Sequence, residues 1–393
     1  MGFGVRGAIL ILAVYFMAGL PAAFAAKTPS KWIPKCDSVD LNADENSPLR
    51  KIPVYDQGKS GTCYAQAGSV VLDYYRLKKD PNAQLSNPLF MATQSKLDDL
   101  GNPIGGEKRV HGGQAADAIN AVRKRGLCKS AAIDQCFEEL HAKFPDKANA
   151  EIVGLIDRVL KGESPTTPAP ECESEEDSAK ALREFVAGKG WEGKFSVEVL
   201  RETFGACQGN LISLAEVPAA IPYYNVSEEK MGLIVDVLLN EGTPISLSMA
   251  SPVLREVDAR CVKVTADKSR KTIKTGGACK NAAGDPDFLH EVVITGKKVI
   301  DGKCQLLIRN SWGEDWRAKV GPGKLAKCAC EMLNPVTGQR SYHEICPDTG
   351  EIRDGEAIDM NAPYAERILG CWVPADAVLE NSVGFTVVRD ANK

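Results

Sequence analysis

The sequence has no excess of positive charge: 48 Lys and Arg stand against 52 Asp and Glu, a formal net charge of -4. Nucleic acid is therefore not an expected partner, because a nucleic-acid binder carries a basic footprint. Long apolar runs are missing too. The longest, residues 8–20, is interrupted only by Gly19 and falls short of the ~20 residues that a membrane-spanning helix needs. With Arg6 ahead of it and Ala23-Phe24-Ala25 behind, it reads as the core of a removable signal over residues 1–26. The expectation is a secreted or periplasmic protein without a stable membrane anchor. Histidine is scarce, with four in the chain, and His111, His141 and His343 read as surface residues. Only His290 is left as a candidate for chemistry. No metal is expected, since Cys328-Ala329-Cys330 has no His or second cysteine pair beside it and disulfides are the simpler fate.

Cysteine, by contrast, is abundant. There are 13, and in an exported chain most should pair, because that compartment is oxidising. An odd count leaves at least one thiol over. If Cys63 is that one, the remaining twelve can form six bridges, although parity does not say which cysteine is free.

Helical periodicity covers residues 62–79, where Tyr64, Ala67, Val71 and Tyr74 recur at three- and four-residue spacings. Cys63 then lies in the first turn, where free amides and the positive end of the helix dipole favour a thiolate and a lowered pKa. A buried or bridged cysteine at a helix start is the competing reading. A second helix is expected at 115–125, entered after Gly112-Gly113. Residues 164–170 are linker-like, and 171–178 form an acidic run of the kind that is usually solvated. Helical patterns at 149–161 and 178–187 suggest a helical insertion over 137–235, with Cys136, Cys172 and Cys207 as its own cysteines.

From Thr243 the pattern becomes strand-like, at 244–249, 290–296 and 303–310, with Asp301-Gly302 as the turn between the last two. An antiparallel register summing to 600 sets His290 directly opposite Asn310, at a Cβ separation of about 4.5–5.5 Å. A slip of one residue would put them on opposite faces. Residues 324–365 form a turn-rich, Cys-rich insertion, and 371–388 read as strand.

These residues suit thiol chemistry. A cysteine becomes a good nucleophile when a base takes its proton, and His290 can serve as that base with Asn310 holding its tautomer. The Gln57 side-chain amide and the Cys63 backbone N–H would bind the oxygen of a tetrahedral intermediate.

The run Gln57-Gly58-Lys59-Ser60-Gly61-Thr62-Cys63-Tyr64, the paired Gly112-Gly113, His290 and Asn310-Ser311-Trp312-Gly313 together resemble the papain-like cysteine peptidases. The resemblance implies an α+β, two-lobed fold: a helical lobe, an antiparallel β-barrel-like lobe and a cleft between them, spanning residues 27–393. It implies catalytic roles for Cys63, His290, Asn310 and Gln57, a lid over the His290–Asn310 bond from Trp312, and a main-chain shelf for an extended substrate from Gly112 and Gly113. Leu289 and Glu291, which flank the imidazole, join the substrate-binding residues. Glu291 either lines the pocket for the second residue before the scissile bond and favours a basic side chain there, or faces solvent.

Polypeptides are the expected substrates, hydrolysed without cofactor or metal by a monomer. Rival readings are an inactive papain-fold binding or adhesin protein, and a papain-like amidase or transferase acting on a non-protein amide.

The departures from the pattern are specific. His290 lies 227 residues beyond Cys63, against about 130–150 in that family. Ser60 and Val110 stand where one family disulfide has its two cysteines. Residues 27–62 are too few for a helical pro-domain, so restraint is expected from an insertion covering the cleft.

Overall fold

The computed structural model describes residues 30–33, 35–58, 60–106, 109–129, 173–194, 196–255, 261–264, 271–273, 289–314, 316–321, 324–334, 336–346 and 364–389, with a few isolated positions between 138 and 160. The 1–26 signal, the 164–170 linker, most of the 149–161 helix, His141, Cys136 and Cys172 lie outside the described residues.

Ser47 accepts from the Leu49 amide and Pro48 presets the first turn of α1 (Pro48–Lys51). The next helix, α2 (Cys63–Lys79), is buried on nearly every side from Tyr64 to Leu77, so it is a core helix despite its polar residues. Arg76, Lys78 and Lys79 fill its last turn, where they complement the carbonyl end of the dipole. Inside it, the buried Asp73 accepts from both the amide and the hydroxyl of Ser86, fixing the return of the chain. α3 (Pro88–Ser95), capped by Asn87, and α4 (Ala115–Arg125) pack against α2 and each other. The helices expected at 62–79 and 115–125 are thus present.

The strands are β1 (Val39–Asp40), β2 (Leu127–Cys128), β3 (Leu211–Ile212), β4 (Ala220–Tyr224), β5 (Ile245–Ala250), β6 (Val262–Val264), β7 (Lys271–Ile273), β8 (Leu289–Ile300), β9 (Lys303–Arg309), β10 (Lys319–Gly321), β11 (Lys324–Leu325), β12 (Cys328–Leu333), β13 (Arg340–His343), β14 (Tyr364–Pro374) and β15 (Ser382–Val388). Nine of them form one antiparallel sheet in the order β13-β12-β14-β9-β8-β5-β15-β4, with β1 paired to the second half of β8. The molecule is therefore mixed α+β with a large antiparallel sheet. Its apolar residues form two main cores. One centres on α2, α3, α4 and the helices Glu173–Gly188 and Ser196–Thr203; the other lies between the sheet and the helices Glu228–Asn240 and Ala375–Glu380. α2 packs directly on β8, and Val293 of β8 belongs to the helical core.

The β8–β9 register differs from the expected one. Asp301 and Gly302 both take positive φ (51° and 74°), as a tight two-residue hairpin turn requires, and pair Ile300 with Lys303, a register summing to 603. Continued unchanged, it would put His290 and Asn310 on opposite faces. A bulge between Ile294 and Gly296 absorbs one residue, so Ile294 pairs with Ile308 and Val293 with Arg309. The phase is restored, and Asn310, just past the end of β9, is a diagonal neighbour of His290 instead of its direct partner. Gly296 is needed at this bulge, since a Cβ there would meet the Val39 carbonyl oxygen at 2.7 Å.

Other segments also depart from expectation. Cys207 bonds to Cys128, outside the 137–235 insertion, and β4 joins the insertion to the main sheet beside β15. The helix expected at 178–187 is present and starts earlier, at Glu173, within the acidic run. In the Cys-rich segment, β12 lies three strands and β13 four strands from β8 in the sheet, and Cys330–Cys346 and Cys328–Cys371 close it. The stretch 371–388 contains the helix Ala375–Glu380 between two strands.

Cys36–Cys304 ties the start of the described chain to β9. Among the described cysteines Cys63 alone is free. Disulfides of this kind persist in oxidising compartments. No helix among the described residues is long and apolar enough to cross a membrane.

Candidate active site

Cys63 is the first residue of α2, and its N-cap, Thr62, makes no side-chain capping bond. The first amides of a helix have no partner within it, so the Cys63 N–H stays available as a donor. β8 packs against this helix, and its Glu291 amide favours the Cys63 thiolate.

His290 is 5% exposed and pairs its Nε2 with Asn310 Oδ1 at 2.5 Å. Asn310 Oδ1 also accepts from the Ser311 amide at 2.8 Å, so it acts as an acceptor and His290 carries its proton on Nε2. That tautomer leaves Nδ1 as the basic nitrogen. Trp312 stacks on the imidazole with ring centroids 4.6 Å apart and an interplanar angle of 29°.

The Gln57 loop is stitched to the turn after β9. The Gln57 amide donates to the Ser311 carbonyl at 2.9 Å, Gly313 donates to the Tyr55 carbonyl at 3.2 Å, and Asp56 forms an isolated bridge with Trp312. Ser311 Oγ donates to Gln57 Oε1 at 2.7 Å, which fixes the side-chain amide with Nε2 as the donor free for an incoming oxygen. Arg309, buried at the end of β9, holds the same loop from behind by donating to the carbonyls of Leu49, Ile52 and Pro53.

Where the resembled family has a disulfide, hydrogen bonds close the loop. Gly112 N–H donates to the Gly61 carbonyl at 3.1 Å, Tyr64 Oη donates to the Val110 carbonyl at 2.9 Å, and Ser60 Oγ donates to the Gln57 carbonyl at 2.7 Å. Gly113 lies flat on the Tyr64 ring, which a Cβ would meet at 2.7 Å. His111, read as a surface residue, is half-buried against Gly61.

Electrostatics correct the expected thiolate. Burial pushes the Cys63 thiol up to about 12, and the amides of Glu291, Tyr64 and Cys63 oppose that rise without reversing it. Burial likewise depresses the imidazole to about 4, with the Asn310 bond raising it and the nearby Arg255 charge lowering it. Desolvation by burial outweighs the helix N-terminus and favours a neutral thiol beside a neutral imidazole.

Glu291 does not face solvent. It is 3% exposed, accepting from the Ala115 amide at the start of α4 (3.0 Å) and from Ser246 Oγ on β5 (2.9 Å). Its carboxyl thus joins the helical core to the sheet, and burial raises its pKa to about 8. Leu289, on its other flank, is 48% exposed.

Two residues of this site escaped the sequence reading. Ser311 was visible in the Asn310–Gly313 run but carried no role there. Arg255, whose guanidinium lies 5.0 Å from the Trp312 ring centroid, had no signal at all, being 57 positions away in the chain. No family model matches this chain, and no curated protein matches it. Among the described residues no group of three His, Cys, Asp or Glu could hold a metal ion.

Proposed function

We propose that this protein is a papain-like, two-lobed cysteine endopeptidase that is exported and hydrolyses polypeptide amide bonds through an acyl-thioester on Cys63. The observation that carries the reading is the convergence of three chain segments. The helix that starts at Cys63 packs on β8, where His290 is oriented by Asn310 under Trp312, and the Ser311 hydroxyl turns the Gln57 amide into a donor.

The chemistry follows from these groups. Cys63 Sγ adds to the carbonyl carbon while its proton passes to His290 Nδ1. The carbonyl oxygen takes up the electron pair as an oxyanion, and Gln57 Nε2–H and the Cys63 N–H donate to it. Collapse of the tetrahedral intermediate breaks the C–N bond, and the imidazolium returns its proton to the departing amine. Water then attacks the thioester, giving a proton to His290, and the C–S bond breaks to restore the thiol and release the acid. Because both resting groups are neutral, proton transfer accompanies attack instead of preceding it. Gly112 and Gly113 offer main-chain groups to an extended substrate, and the exposed Leu289 lines its path.

The test treats the protein with an epoxysuccinyl inhibitor, maps the adduct by mass spectrometry and assays a broad peptide library in parallel. Labelling at Cys63 with loss of cleavage, absent in Cys63→Ala, supports the peptidase. Labelling without any peptide cleavage favours an amidase, and an unlabelled, reduced Cys63 overturns the reading.

A further inference from the structure

Trp312, which stacks on His290, also lies under Arg255. Beside it opens a pocket of about 530 Å³ lined by Asp56, Leu254, Arg255, Trp312, Trp316 and Arg317. Trp312 and Trp316 meet edge to face at 5.7 Å and form its apolar wall.

The charges in this pocket do not cancel. Asp56 spends Oδ1 on the Gly58 amide at 2.8 Å and reaches neither guanidinium. Arg255 and Arg317 make no ion pair with any described residue. Two unpaired guanidinium groups beside indole rings are suited to a planar carboxylate, which each can engage with a fork of N–H donors.

The place of the pocket in the reaction follows from His290. The imidazole must protonate the departing amine, so the leaving segment lies on its side of the thiol, and the pocket touches that imidazole through a single indole ring. The acyl segment runs the other way, along Gly112 and Gly113.

We propose that this pocket binds a carboxylate on the leaving segment, making Arg255 and Arg317 the residues that select substrates with an acidic residue or a free chain terminus shortly after the scissile bond. The inference rests on the peptidase reading for its place in the reaction, but the binding it predicts can be measured without catalysis.

The test uses peptides cleaved by the wild-type protein, remade in matched pairs. One arm carries amidated peptides with Glu or Gln, and Asp or Asn, at the first and second positions after the bond. A second arm ends in a free carboxylate or an amide at the same distance. The acid member is expected to win by roughly 3- to 10-fold in kcat/KM at low ionic strength. The preference should shrink in Arg255→Gln and in Arg317→Gln, survive in part in Arg317→Lys and vanish in the double glutamine variant. The arm that shows it separates a side chain from a chain terminus. Equal rates within every pair, or a preference that survives the double variant, overturn the proposal.

Binding to Cys63→Ala of acetylated, C-terminally amidated oligoalanine peptides containing one Glu or one Gln, and of acetylated oligoalanine with a free or an amidated C-terminus, followed by tryptophan fluorescence, separates this from the parent reading. Tighter binding of the acid member of either pair, lost in the double glutamine variant, upholds the pocket even if no peptide is ever cleaved. Identical binding within both pairs overturns it even if Cys63 proves to be the nucleophile.

Discussion

His290 Nε2 meets Asn310 Oδ1 at 2.5 Å although the hairpin that carries them never pairs the two residues. The contact depends on the bulge between Ile294 and Gly296, which restores the strand phase that the Asp301-Gly302 turn would otherwise reverse. The amide bond favours the protonated ring. Asn310→Ala is therefore expected to lower the imidazole pKa further and reduce kcat/KM by about 10²-fold, the scale of a lost charge-assisted hydrogen bond. NMR titration of His290 beside steady-state kinetics with peptide substrates checks it; an unchanged titration and rate would contradict the assignment of Asn310 as the orienting group.

Ser311 is predicted to act through Gln57. In Ser311→Ala the Gln57 amide loses the bond that fixes its Oε1, and kcat should drop by about 10-fold with little change in KM, since the oxyanion exists only beyond the ground state. Gln57→Ala should cost about 10²–10³-fold. The double variant should be no worse than Gln57→Ala alone, and additive losses would show that Ser311 works by another route.

Arg255 holds His290 below its usual range by charge, on top of the larger effect of burial. Arg255→Gln is expected to raise the imidazole pKa from about 4 and move the acid limb of the kcat/KM profile to higher pH with it. The profile for a neutral peptide, measured from pH 3 to 7, reads this directly. An acid limb that stays in place removes Arg255 from the electrostatics of the site.

Glu291 makes stability depend on pH. Its pKa is raised from 4.5 to about 8, so the folded protein keeps a proton that the unfolded chain releases. This contribution is fully present below pH 4.5 and is lost as pH rises through about 8. Glu291→Gln keeps the acceptor for Ala115 and offers an N–H to Ser246 Oγ. It should gain roughly 2–5 kcal/mol on wild type at pH 9 relative to pH 5. Urea titrations at the two pH values test this, and parallel pH profiles for the two proteins would refute it.

Gly113 tolerates no side chain, because a Cβ would lie 2.7 Å from the Tyr64 ring. Gly113→Ala should cost about 1–3 kcal/mol in thermal unfolding, the usual price of overpacking. Adding Tyr64→Leu should recover part of the loss if that ring is the obstacle.

Much of the site is legible because its residues lie in short runs with strong local signals. Residues 62–79 repeat apolar positions at helical spacing, so Cys63 at a helix start can be read directly, and Asp301-Gly302 announces a hairpin. Glu291 shows the limit. Beside His290 in an alternating strand it reads as solvent-facing or pocket-lining, and only the arrival of α4 and β5 from distant parts of the chain buries its carboxyl. The thiolate expectation fails for the same reason: helix amides are encoded locally, whereas the burial that opposes them comes from the elements packed around α2.

The sequence by itself determined the order and identity of the chemical groups, the helices at 62–79 and 115–125 and the surplus thiol, since each follows from composition or from neighbours within a few residues. Tertiary structure alone decided the protonation states of Cys63, His290 and Glu291, the pairing of Cys128 with Cys207, and the guanidinium groups gathered around Trp312. Burial and charge proximity are long-range quantities, set by which segments meet and not by what any one of them contains.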